Sequence, residues 1–251
     1  MKWLAAVLLV LTLAGCQTRP DAAAQADPDA LARARVHTDL AAGYFSRGQH
    51  DVALQELAIA TQAFPRYAPA HNMLGLVYME LRDLSLAQQS FQTALSINPN
   101  DSDTHHNFAT FLCQNGRYEE AIGHFLQAIQ NPLYTSPHRS YANAGVCARK
   151  AGDTARAQSY FDAALKLQPL QADALFNMAE LAYARGDYQN ANLYLGRLLR
   201  ASEPSPARAL LAIKIARKVG DRNLEESQAL VLRRNFPNSS EAQLWRSGKF
   251  E

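Results

Sequence analysis

Small and large apolar positions recur along this chain with a period of about 34 residues. Ala53, Ala87, Ala121, Ala157 and Ala191 are separated by 34, 34, 36 and 34 positions. Four places after each stands a large apolar residue, in order Leu57, Phe91, Phe125, Phe161 and Leu195. Three places further on come Ala60, Ala94, Ala128, Ala164 and Leu198. Twelve places before each Ala lies a small residue: Ala41, Gly75, Ala109, Gly145 and Ala179. Gly48, Gly116, Gly152 and Gly186 precede the Ala by five, with Arg82 in that column of the second unit. Pro65, Pro99 and Pro169 close their units, and Pro132 sits one place early. Spacings of three and four mark one face of a helix, and the turn residue between two such runs divides each unit into two helices. The small column lets the first helix approach the second closely, and the large apolar side chain fills the remaining gap.

These columns resemble the tetratricopeptide repeat, a helix-turn-helix unit of about 34 residues. The expected fold is all-α, a right-handed superhelical solenoid of six repeats at 34–67, 68–101, 102–137, 138–171, 172–205 and 206–239. A C-terminal cap at 240–251 follows. The sixth repeat is looser: Glu225 replaces the Ala and Ile213 the small residue, while Gly220 and Pro237 keep register. The end of a solenoid has no next neighbour and so needs such a cap, with Trp245 expected to cover its apolar end. The step of 36 predicts a longer loop or a break in pitch at 131–137.

The N-terminus reads differently. Lys2 is followed by an almost unbroken apolar run from Trp3 to Leu13. It is too short to span a bilayer, so residues 1–15 are expected to be a secretory signal. Leu13-Ala14-Gly15-Cys16 resembles the bacterial lipobox, which implies cleavage before Cys16 and a covalent lipid on that residue. Residues 16–33 carry the polar, Pro- and Ala-rich chemistry of a linker. Gln17 in place of Asp implies, by the same resemblance, sorting to the outer membrane.

Composition narrows the function classes. Lys+Arg is 25 and Asp+Glu 23, a net charge of +2, which gives no general attraction to nucleic acid. Seven His residues invite a metal reading, but His37, His71 and His105 lie 34 apart, in one column of neighbouring repeats. Neighbouring helices are about 8–10 Å apart, whereas zinc ligands converge to about 2 Å, so the column suits packing and not chelation. No catalytic constellation, P-loop or metal motif stands out. The expectation is a non-enzyme with no metal, no small-molecule substrate and no cofactor beyond the lipid on Cys16. Asn107, Asn143 and Asn177 share a column suited to hydrogen bonding between helices or to a bound peptide backbone. Cys113 and Cys147 fall on helices expected to lie side by side. They are read as a structural disulfide, the alternative being two buried thiols.

In tetratricopeptide proteins the groove is lined by the second, fifth, ninth, twelfth and thirteenth places of each repeat. In the fourth repeat this column set holds Arg139, Ala142, Val146, Arg149 and Lys150. The fifth gives Asp173, Phe176, Glu180, Tyr183 and Ala184, and the sixth Ala207, Leu210, Lys214, Arg217 and Lys218. Basic and aromatic side chains together suit an extended peptide that bears carboxylates.

Four stretches go beyond the general repeat: Asn107 to Cys113, Asn131-Pro132-Leu133-Tyr134 with Pro137, Asn143 to Cys147, and Leu211 to Lys218 running into Gly220-Asp221. With the lipobox they make the chain similar to the PilW/PilF family of type IV pilus biogenesis and stability lipoproteins. That resemblance implies an outer-membrane lipoprotein facing the periplasm. It would act as a pilotin for the pilus secretin, or stabilise the pilus, through a secretin or another pilus assembly protein. The alternative is an envelope tetratricopeptide lipoprotein that recruits peptidoglycan hydrolases or proteases.

Overall fold

Thirteen α-helices build residues 28–248, the part of the chain that the computed structural model describes, and these residues contain no strand. The expected signal segment, Cys16 and residues 249–251 lie outside the described residues. The helices pair in chain order: α1 (Pro28–Ser46) with α2 (His50–Ala63), α3 (Ala68–Glu80) with α4 (Leu84–Ile97), and α5 (Ser102–Gln114) with α6 (Tyr118–Gln130). Then come α7 (Pro137–Lys150) with α8 (Thr154–Leu167), α9 (Ala172–Ala184) with α10 (Tyr188–Ala201), and α11 (Pro206–Val219) with α12 (Arg222–Asn235). The short α13 (Ser240–Ser247) packs on α11 and α12. The first helix opens at Pro28, so residues 28–33, expected as linker, are helical. Proline suits a first helical position, Asp29 favours the positive helix start, and the Ala-rich run that follows has high helix propensity. No described helix is long and apolar enough to cross a membrane.

The pattern of helix contacts explains the curvature. The backbone of each odd-numbered helix comes within 8 Å of the next odd one, Cα to Cα, from α1–α3 to α9–α11, whereas no two even-numbered helices among the described residues approach so closely. The odd helices are therefore crowded on the inner side and the even ones splayed on the outer. Long polar side chains reach across the wider outer spacing. Arg117 donates to Gln88 Oε1 at 2.8 Å, Arg156 pairs with Glu119, and Arg185 donates to Gln158 Oε1 at 2.6 Å.

Inside each pair the small column does its work by contact. A Cβ built at Gly75 would lie 2.5 Å from the Phe91 ring, and one at Gly145 2.6 Å from the Phe161 ring. Both rings are fully buried, so these two glycines exist to admit them. In the tight turn inside each pair the backbone is left-handed, at Gly48, Gly116, Gly152, Gly186 and Gly220 with φ from 73° to 86°. Arg82 adopts φ 63° in the same column and bears a cost of about 1–2 kcal/mol, because its Cβ crowds the following carbonyl. Asp83, Asp153, Asp187 and Asp221 recur as N-caps of the outer helices, each accepting a backbone N–H three residues on.

The two-residue insertion falls in the loop 131–136 between α6 and α7. It is tied down by a polar relay. His106 Nδ1 lies 2.8 Å from Ser140 Oγ, whose hydroxyl donates to Tyr134 Oη at 3.2 Å. At the C-terminal end Ile213, Leu232 and Ala242 are buried together, and Trp245 packs against them.

Candidate protein-binding groove

The inner, odd-numbered helices present the concave surface. Two of the cavities that the described residues form open on it with apolar side chains in their floors. The larger, about 410 Å³, lies between α9 and α11, with Phe176, Leu181, Ala207 and Leu210 among its walls. Arg149 of α7 and Glu180 of α9 face each other across its rim, with Arg149 Nη1 donating to Glu180 Oε2 at 2.6 Å. Lys214 stands above the Tyr183 ring, its Nζ 5.7 Å from the centroid, a separation at which the ring face attracts the cation. Glu241 of α13 closes the far end.

The smaller cavity, about 150 Å³, lies between α5 and α7. Phe125 forms its floor, with Val146 and the Cys113–Cys147 disulfide, and Lys150 stands at its rim. The disulfide joins Cα atoms 5.8 Å apart and closes a loop of sequence separation 34. It locks the third repeat to the fourth, across the insertion.

Of the nine groove residues expected from the repeat columns, the structure gathers Arg149, Phe176, Glu180, Tyr183 and Lys214 at the larger cavity and puts Lys150 at the smaller. Arg217 turns to its own repeat, where Nη2 donates to Glu225 Oε1 at 2.7 Å. Arg139 is exposed at the start of α7, close enough to act electrostatically on Asp103 and His106. Lys218 is exposed in the last turn of α11 and lines neither cavity. Arg149 is thus neutralised inside the groove and Arg217 beside it, which leaves the groove less basic than its column composition. Glu241 came from outside the repeat columns. Its place depends on α13 folding back onto α11, for which the repeat pattern carries no signal.

The histidine column is satisfied internally. His37 Nδ1 meets Glu56 Oε2 at 2.6 Å, and His71 Nε2 donates to the Pro65 carbonyl at 2.8 Å. His105 Nε2 donates to the Pro99 carbonyl at 2.9 Å, so its bare Nδ1 accepts from His124 Nδ1, also at 2.9 Å. Burial holds His106 down to about 4, with help from the Arg139 charge, so it is neutral near pH 7. Among the described residues no cluster of three or more His, Cys, Asp or Glu could hold a metal ion. In the asparagine column, Asn107 donates to Asn72 of the preceding repeat at 3.1 Å, and Asn177 to the Asp173 carbonyl at 2.7 Å.

Models of the tetratricopeptide repeat match residues 68–101, 90–123 and 143–206. The chain is 30% identical over 243 residues to the type IV pilus assembly protein PilF of Pseudomonas aeruginosa, covering 96% of each chain. Its structure matches that of P. aeruginosa PilF with a TM-score of 0.81 at 28% identity, over 88% of this chain and 100% of the other. PilW, a widely conserved type IV pilus biogenesis factor, matches with a TM-score of 0.76 at 27% identity, over 85% and 98% of the two chains. An uncharacterised protein of Haemophilus influenzae is 28% identical over 150 residues, 60% of this chain and 82% of its own. Paired helices stacked in chain order, the repeat matches and a relative aligned almost end to end agree: this chain belongs to the PilF/PilW family of tetratricopeptide proteins of type IV pilus biogenesis.

Proposed function

We propose that this protein is a non-catalytic outer-membrane lipoprotein, anchored through Cys16 and facing the periplasm. In this reading it serves pilus assembly as a pilotin, helping the secretin reach the outer membrane and multimerise there, and it contributes to pilus stability. The observation that carries the proposal is kinship with PilF over 96% of both chains. The lipobox-like Leu13-Ala14-Gly15-Cys16 supplies the anchor. More than one acyl chain holds a protein stably at a bilayer, at about 0.8 kcal/mol per buried CH₂. The groove supplies a capture surface, rigid because each helix pair is buried against its neighbours.

The test compares a deletion strain with a Cys16→Ala strain. Both are expected to lose secretin multimers from outer-membrane fractions and to lose surface pili. Normal multimers and normal pili in both would sink the proposal. Crosslinked envelopes that yield peptidoglycan hydrolases in place of secretin would favour the adaptor reading instead.

A further inference from the structure

We infer that the groove reads an extended peptide with two apolar anchor residues six positions apart, each two positions from an Asp or Glu. This rests on the capture role proposed above and specifies its ligand. The two cavities lie in series on the same concave wall, one between α5 and α7 and the other between α9 and α11. Their centres are two helix spacings apart, about 16–20 Å at the usual 8–10 Å between packed helices. An extended chain rises about 3.3 Å per residue and points alternate side chains to opposite faces. Only an even separation presents both anchors to the wall, and six residues span about 20 Å.

Each cavity also carries one lysine at its rim, Lys150 at the smaller and Lys214 at the larger. Among the described residues neither lysine is ion-paired, whereas Arg149 is already neutralised by Glu180. Two cations outside ion pairs therefore stand next to the two apolar floors. The smaller cavity, about 150 Å³, admits an aliphatic side chain. The larger, about 410 Å³, also admits an aromatic one. A helical ligand would need about thirteen residues to cover the same span, at 1.5 Å per residue.

The test titrates the full chain in detergent with an acetylated ten-residue peptide, in which two Glu–Leu pairs, each with one residue between its members, in a Ser/Thr background place their leucines six positions apart. Three changes to the peptide are each expected to weaken binding about tenfold or more: both leucines to Ala, both glutamates to Lys, or one residue removed between the pairs. In the protein, Ala207→Trp fills the larger cavity from an exposed position and is expected to cost a similar factor. Lys150→Glu combined with Lys214→Glu is expected to invert the preference between glutamate and lysine peptides. Circular dichroism verifies that each variant is folded. Equal binding of the shortened or alanine peptide, tighter binding of a helical peptide with leucines thirteen apart, or no binding of the parent at about 1 mM overturns the inference. Lost selectivity with normal secretin multimers in cells would remove this ligand register alone. Selective peptide binding with normal multimers and pili in the deletion strain would remove the pilotin role alone.

Discussion

A methyl group added at Gly145 would stand 2.6 Å from one Phe161 ring atom and within 3 Å of two more. The ring is fully buried and has nowhere to retreat. Alanine normally improves a helix over glycine by about 1 kcal/mol, but overpacking a tight core costs about 1–3 kcal/mol. Gly145→Ala is therefore expected to lower stability, by up to about 2 kcal/mol net, read as a lower urea midpoint. An unchanged or raised midpoint would show that the ring has room. Arg82 presents the reverse case: its left-handed backbone was legible as the exception in a glycine column, because the turn geometry is common to all the repeats. Which cations pair was not legible, since ion pairs such as Arg149–Glu180 join residues of different repeats. Their approach depends on how much each repeat rotates against the last.

Helices α5 and α7 are joined by more than apolar contact. His106 on α5 reaches Ser140 on α7, which holds Tyr134 in the insertion loop. Burial depresses His106 from about 6.5 in the unfolded chain to about 4 in the folded one. Its contribution is fully present above about pH 6.5 and is lost as the pH falls from there towards 4. At about 1.4 kcal/mol per decade of pH the total loss is about 3 kcal/mol. His124 and His138 are also lowered, mainly by burial, so their losses add in the same direction. Stability measured between pH 7 and pH 4 is expected to fall, and His106→Gln is expected to remove part of the slope. An equal slope in the variant would assign the pH dependence elsewhere. The sequence placed the histidines on helices, but only the packed repeat shows that His106 is a buried clasp.

For the molecule as a whole, stability is spread over neighbour contacts, so one covalent staple between repeats acts on the entire array. The Cys113–Cys147 bond closes a loop of sequence separation 34 and contributes about 4 kcal/mol in the chain-entropy model. Cys113→Ser with Cys147→Ser is expected to lower the denaturant midpoint by a comparable free energy while preserving the helical signal. An unchanged midpoint would mean that packing alone sets the junction. The cap follows a similar logic: α13 covers the apolar end left by the sixth repeat, and in doing so brings Glu241 to the groove.

Architecture was written in the chain, because a 34-residue period carries its own structural meaning. Each unit states which faces touch, where it turns and that it must stack on a copy of itself. The helical start at Pro28 was hidden, since alanine and polar residues suit a linker and a helix alike. The groove's working chemistry was hidden for a related reason. Two cavities, their separation, and the lysines left outside ion pairs arise only when inner helices crowd and outer ones splay. Local pattern determines each repeat, whereas the angle between repeats decides which side chains meet.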